Sequence, residues 1–330
     1  MTDPRDNAAL NRRDFLARAA KSGVAIAAAA GIGLWLHDRK GPAADAGEKA
    51  VSLPDFSDAK LGRRMSIVTG ADRVKTVNRA LHALGGIEQF VKKGDRVLLK
   101  VNAAFASPPS LSATTHPDLV AAVARLCLAT GAASVIVTDN PINDPQSCFR
   151  LSGIAKAAES AGARVVVPNE ALFKPVTVAG AKLIRDWPVL SEPFRGITKL
   201  IGIAPVKDHH RSGASMTMKN WYGLLGGARN VFHQDIHTII LELATMVRPT
   251  LVILDGTTTM MTNGPTGGSF DDLKATNTMI VSTDQVAADA FGATLLGKTA
   301  ASLPFITRAA AAGLGTADYE SLNPARDQVN

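Results

Sequence analysis

The stretch GDRVLLKVNAAFASPPSLSATTHPDLVAAVARLCLATGAASVIVTDN, residues 94–140, decides the fold. Gly94-Asp95 is a turn signal, and Arg96 to Asn102 is a run of aliphatic and β-branched residues with polar ends, the pattern of a buried strand. A polar loop rich in Ser, Pro and Thr follows, from Ala103 to Thr115. His116-Pro117-Asp118 then opens a helix that runs to Thr130, with Pro in its first turn. Ala133 to Asn140 reads as the next strand. A strand, a helix and a second strand in this order imply neighbouring parallel strands with a helix packed on the sheet.

The same alternation extends both ways. Upstream, Met65 to Thr69 is a short strand, and Asp72 to Val91 carries apolar residues at helical spacing behind an Asp72 N-cap. Downstream come a helix from Pro145 to Ala161 and a strand from Arg164 to Val167. Residues 173–194 are less periodic and are expected to make a small antiparallel excursion. Alternation resumes with strands at Ile197–Ile203, Thr250–Leu254 and Thr278–Ser282. Helices are expected after Gln234, over Gln285–Leu296 and over Leu303–Ala312. The fold class is α/β, a mostly parallel sheet with helices on both faces. Such sheets bind ligands at the carboxyl ends of their strands. Asn102 and Asp139-Asn140 fall at such ends.

Composition sets bounds on function. Hydrophobic residues make up 46% and charged residues 20% of the chain, a globular balance. The net charge is +7, with the positive residues dispersed. There is no arginine-rich stripe, so nucleic acid is not expected as a partner, whereas a small anionic ligand suits the balance. The two cysteines, Cys127 and Cys148, are too few for a cysteine-ligated iron–sulfur cluster, and the cofactor is left unknown.

The N-terminus reads as an address. Asn11-Arg12-Arg13-Asp14-Phe15-Leu16 resembles the twin-arginine export consensus. An Ala- and Gly-rich apolar run spans Ser22 to Leu36, and Ala44-Asp45-Ala46 has the small-x-small pattern of a signal-peptidase site. The run is short of the ~20 residues that span a bilayer comfortably. Residues 1–46 are therefore expected to be a signal handled by the twin-arginine translocation machinery, placing the folded protein in the periplasm or otherwise outside the cytoplasm. No stable membrane span is expected once the signal is removed. Residues 47–62 are expected to form a linker, 63–320 a single α/β domain, and 321–330 a C-terminal tail.

The densest polar cluster is PVKDHHRSGASMTMKNWYGLLGGARNVFHQDIH, residues 205–237, which holds four of the seven histidines. Lys207, His209, Lys219 and His233 are its candidate catalytic residues, since Lys and His in a glycine-punctuated loop can hold an anion, polarise a carbonyl or move protons. His233 and His237 are four apart, one face of a helix, and with Asp255 form a candidate metal set. Asp255 closes an apolar strand in LDGTTTMMTNGPTGG, residues 254–268. The glycine turns of that segment, Gly264 and Gly268, can present backbone N–H groups to an anion. Lys100 and Asn102 end a buried strand, where a lysine needs a partner or a ligand. With Asn220 they complete the candidate ligand-binding set.

Several of these pieces carry a family resemblance. VLLKVN, the Lys207/His209 segment followed by MKNWYGLLGGARNVFH, RPTLVILDG with a downstream NGPTGG, and STDQVAADAFGATLLG together resemble the family called domain of unknown function 362, over roughly Val97 to Gly297. The matching positions are Lys100, Asn102, Lys207, His209, Lys219, Asn220, Gly223, His233, Asp255, Gly264, Pro265, Asp284 and Asp289. Asp284 and Asp289 flank a helix start and also suit cap and packing roles. Many members carry ferredoxin-type cysteine motifs; this chain lacks them, so the resemblance implies no cluster here. A more distant likeness, in Lys/His usage and α/β layout, is to lactate racemase-type enzymes, which gather Lys and His around a nickel-pincer nucleotide.

The sequence thus points to an exported α/β protein with a Lys/His/Asp pocket for an anionic ligand or a metal-bound cofactor. Redox or racemase-like chemistry suits such a site better than covalent hydrolysis, because no Gly-x-Ser-x-Gly elbow is present. The competing class is a non-catalytic periplasmic ligand-binding or redox-accessory protein without its own iron–sulfur cluster. The sequence leaves open whether the protein is an enzyme.

Overall fold

The computed structural model describes residue 13 and residues 52–330. The expected signal, apart from residue 13, and the first part of the expected linker lie outside the described residues. In chain order the elements begin with β1 (Met65–Thr69), α1 (Arg73–Ala83), β2 (Arg96–Lys100), α2 (Pro117–Ala129) and β3 (Ser134–Thr138). Next come α3 (Pro145–Leu151), α4 (Ile154–Ser160), β4 (Arg164–Val166), β5 (Phe173–Val176) and β6 (Trp187–Leu190). The second half holds β7 (Lys199–Lys207), α5 (Thr217–Asn220), α6 (Ile236–Met246), β8 (Leu251–Met260) and β9 (Leu273–Ser282). It closes with α7 (Gln285–Leu295), α8 (Pro304–Ala311) and β10 (Ala325–Gln328).

Eight strands form one sheet in the order β10-β1-β9-β8-β7-β2-β3-β4. From β8 to β4 all neighbours are parallel, and β9 alone runs against the rest. The expected excursion at 173–194 is the separate antiparallel pair β5–β6. The order of connection reverses between β2 and β7: β2, β3 and β4 step toward one edge, while β7 and β8 step toward the other. That reversal is the topological switch point at which open α/β sheets bind ligands.

The period of two along each strand builds both cores. Val97, Leu99, Val135, Val137, Ile201 and Ile203 pack with α1, α2 and α4 on one face. Leu98, Ile136, Leu200, Val252 and Leu254 pack with α6, α7 and α8 on the other.

Several element bounds differ from those read in the sequence. α1 stops at Ala83, ahead of the Gly85-Gly86 pair, and does not reach Val91. The helix expected over Pro145–Ala161 is two helices, because Gly153 sits in the left-handed region (φ 73°) between them. Residues 321–330, expected as a tail, contribute β10, an edge strand paired parallel to β1. β8 runs past Leu254 to Met260, carried by Thr257, Thr258 and Thr259, a run with strong β preference. Cys127 and Cys148 are buried and unpaired.

Candidate functional site

A cavity of about 520 Å³ lies over the carboxyl ends of β2, β3 and β7, within the size range of small-molecule sites. Its polar lining comes from the strand ends (Asn102, Asp139, Asn140, Lys207), from the segment after β7 (His209, His210, Lys219, Asn220, Tyr222, Arg229, His233) and from the Asn263–Thr266 loop. Apolar walls are supplied by Ala104, Phe105, Ile142 and Pro265.

The floor is a closed polar network. Lys100 is fully buried, and its ammonium meets Asp139 Oδ1 at 2.7 Å. It also donates to the carbonyls of Val101 (2.8 Å) and Asn220 (2.7 Å), so its three protons are engaged. Burial pulls the Lys100 pKa down, and Asp139 opposes that pull. Asp139 Oδ2 accepts the Ala103 N–H at 2.6 Å. The Asn220 side-chain amide spans the switch point, donating toward the carbonyls of Lys100 (3.4 Å) and Ile203 (3.3 Å). Gly223 presses on this network: a Cβ there would sit 2.0 Å from Asp139 Oδ1 and 2.9 Å from Lys100 Nζ.

The cations facing the cavity are held differently. Lys207, 1% exposed, donates to the Ala113 carbonyl at 2.6 Å and stands 5.3 Å from the Phe105 ring centre. Lys219 Nζ stands 5.0 Å from the Tyr222 ring centre. Among the described residues neither lysine has a carboxylate within ion-pair distance. Burial, reinforced by Lys219, brings Lys207 down to about 7. Burial, reinforced by Arg229, brings Lys219 down to about 7 as well. The Arg229 guanidinium donates to four backbone carbonyls, those of Tyr222, Leu225, Asn140 and Pro141, at 2.8–3.3 Å.

The histidines adopt complementary proton arrangements. His209 Nδ1 accepts the N–H groups of Arg211 and Ser212, both at 3.2 Å, so its proton is assigned to Nε2. Burial, with positive neighbours led by Lys219, holds its pKa far below the ordinary histidine value, so this ring is neutral. His233 Nδ1 lies 3.3 Å from the Asn230 carbonyl and 3.1 Å from Tyr222 Oη. The Tyr222 hydroxyl already donates to the Arg229 carbonyl, so the His233 proton belongs on Nδ1, leaving Nε2 as a base. Burial lowers this pKa too. The His209 and His233 rings are nearly parallel, with centroids 5.9 Å apart, and His210 stacks on His209 at 5.0 Å.

A four-residue helix does not form by itself, so α5, which carries Lys219 and Asn220, needs outside support. Asp289 of α7 provides it, accepting the Thr217 N–H (2.7 Å), the Thr217 hydroxyl (2.5 Å) and the Met218 N–H (3.0 Å). Gln285 accepts from the Trp221 indole at 2.7 Å. Asp284 caps α7 itself.

A family model described as "Domain of unknown function (DUF362)" matches residues 97–294, the span from β2 through α7 that builds this cavity. The chain belongs to the DUF362 family. Among curated proteins it is similar to the Thylakoid-associated protein sll1697 of Synechocystis sp., at 28% identity over 249 residues, 71% of this chain and 73% of that one. Among solved structures, the lactate racemase apoprotein from Thermoanaerobacterium thermosaccharolyticum aligns at 10% identity with a TM-score of 0.40, over 72% of this chain and 60% of that one.

Of the positions shared with the DUF362 pattern, Asn102, Lys207, His209, Lys219, Asn220, Gly223, His233, Gly264 and Pro265 line the cavity, and Lys100 lies beneath it. Gly264 is fixed by space, because a Cβ would fall 1.9 Å from the Asp208 carbonyl oxygen. Gly268 does not line the cavity. The expected metal set does not assemble. Asp255 points away, to Arg73 of α1 at 2.8 Å, because β8 continues past it and Asp255 is not at a strand end. His237 stacks on Phe305 of α8. It shares no helical face with His233, since His233 lies in the 3-10 segment Arg229–Asp235 and the helical backbone is broken at Asp235. Among the described residues no three His, Cys, Asp or Glu side chains converge as metal ligands.

Of the charged and histidine residues lining the cavity, three lie outside the candidate set read from the sequence: Asp139, His210 and Arg229. Asp139 was visible as a strand-end acid, and His210 as part of the histidine cluster. Arg229 had no signal, because all its hydrogen-bond partners are main-chain carbonyls.

Proposed function

We propose that this cavity binds a small organic anion and that His209 and His233 work on it, in a protein exported by the twin-arginine route. The observation that carries the reading is the charge balance of the cavity. Lys207, Lys219 and Arg229 face it, while the one acid among its described lining residues, Asp139, is engaged by Lys100. Buried cations without counter-charge are costly, and an incoming carboxylate removes that cost. The neutral His209 would donate Nε2–H to a carbonyl or hydroxyl oxygen of the ligand, and His233 Nε2 would accept a proton from it. This pairing suits proton transfer at a carbon beside a carboxylate. Export rests on the Arg12-Arg13 motif and the apolar run after it.

Calorimetric titration with a panel of mono- and dicarboxylates, against the matching neutral amides, tests the binding. Carboxylates are expected to bind and amides not, with at least a hundredfold loss in Lys207→Met/Lys219→Met. Equal binding of acid and amide would overturn the reading. Exchange of α-hydrogen for deuterium in D2O separates an enzyme, which catalyses it, from a carrier, which does not. A reporter fused to residues 1–46 should leave the cytoplasm, and Arg12→Lys/Arg13→Lys should retain it there.

A further inference from the structure

The two cavity lysines are not equivalent, and the difference bears on the class of anion. The Lys207 amine is tied to the Ala113 carbonyl at 2.6 Å. Lys219 Nζ has no hydrogen-bond acceptor among the described residues; its protein neighbour is the face of Tyr222. It lines the cavity with His209 and His233, and Arg229 contributes a second positive charge nearby.

We propose that Lys219 is an amine nucleophile that forms an imine with an organic anion bearing a ketone or aldehyde, an oxo acid, while Lys207 holds the anionic group. The proposal rests on the anion reading of the same cavity. The Lys219 nitrogen adds its lone pair to the carbonyl carbon, forming the C–N bond while the C=O π pair moves to oxygen. One proton passes from nitrogen to that oxygen. The C–O bond then breaks, and the oxygen leaves as water with a second proton from nitrogen, giving C=N. No electrons are gained or lost, and no co-reactant is consumed. His209 Nε2–H polarises the carbonyl oxygen, and His233 Nε2 relays the protons.

An ordinary lysine offers only about one neutral amine in a thousand near pH 7.5. Burial brings Lys219 down to about 7, which puts a far larger share of it in the reactive form there. A desolvated lysine beside another cation is a recurrent way to make such a nucleophile. Phe105 and Ile142 give the cavity an apolar wall, suited to the alkyl or aryl part of an oxo acid.

The test is reductive trapping on the full chain: pyruvate or phenylpyruvate with sodium cyanoborohydride at pH 7.5, followed by intact mass and peptide mapping. The expected result is one adduct at Lys219, formed at least tenfold faster than at any other lysine. Lactate or phenyllactate, which carry a hydroxyl in place of the ketone, should slow it. Lys219→Arg should lose the adduct. Adducts spread evenly over surface lysines, or centred on Lys207, would overturn the proposal. This mapping on the wild-type chain decides the matter even if Lys219→Arg does not fold. Carboxylate binding without any adduct would remove the imine and leave the anion reading standing; loss of both would remove both.

Discussion

Lys100 closes β2 and Lys207 closes β7, the two parallel strands that flank the switch point, and both side chains are buried. On the β2–β3 side, Lys100 meets Asp139 and two carbonyls, and Gly223 packs against the pair without room for a side chain. On the β7 side, Lys207 and Lys219 share no carboxylate, and their positive charges oppose one another. The first half is finished as folded; under the proposed anion binding, the second is completed by a ligand that brings negative charge. One sheet edge thus separates a structural lysine from cavity lysines by counter-charge alone, since burial is common to all three.

Removing the counter-charge on the finished side should have the largest effect. Asp139→Asn leaves Lys100 buried and unpaired and is expected to cost about 3–5 kcal/mol in urea unfolding. Replacing both partners, Lys100→Met with Asp139→Leu, should cost far less. On the open side the same kind of change should have the opposite sign. Lys219→Met removes a buried cation without a partner and is expected to stabilise the protein by roughly 1–3 kcal/mol at pH 6.5 while weakening carboxylate binding. If Lys219→Met is as damaging as Asp139→Asn, the contrast between the two halves fails.

A smaller effect follows from proton linkage. Lys207 and Lys219 have folded pKa values of about 7, below the unfolded value of about 10.4. Between these values the unfolded chain binds more protons, so stability rises with pH, by up to roughly 1.4 kcal/mol per pH unit for each lysine. Below about pH 7 both states are protonated and the contribution is flat. Comparing wild type with Lys207→Met and Lys219→Met from pH 6 to 10 isolates these slopes, and a saturating carboxylate should flatten the wild-type slope.

The alternating fold was legible because buried strands and amphipathic helices have different periods, as in residues 94–140. The strand-end rule marked Asn102 and the Asp139-Asn140 pair, all of which line the cavity. It misplaced Asp255, because Asp-Gly reads as a strand end whereas the threonine run carries β8 onward through a register shift between Gly256 and Thr258. The His233–His237 spacing misled for a related reason: a four-residue interval marks one face only where the helix is continuous. Arg229 was invisible because main-chain carbonyls leave no mark in a sequence. The role of Asp289, holding the start of a short helix far from it in the chain, required the tertiary structure.

Among the described residues Lys207 and Lys219 are buried without counter-charge, the condition from which organic-anion binding is proposed. NMR titration of the lysine ε-methylene signals, assigned with Lys207→Met and Lys219→Met, tests it most directly. Two lysines are expected to titrate near pH 7 and to move upward when a binding carboxylate is added. Both titrating in the range of exposed lysines, unmoved by any carboxylate, would contradict it.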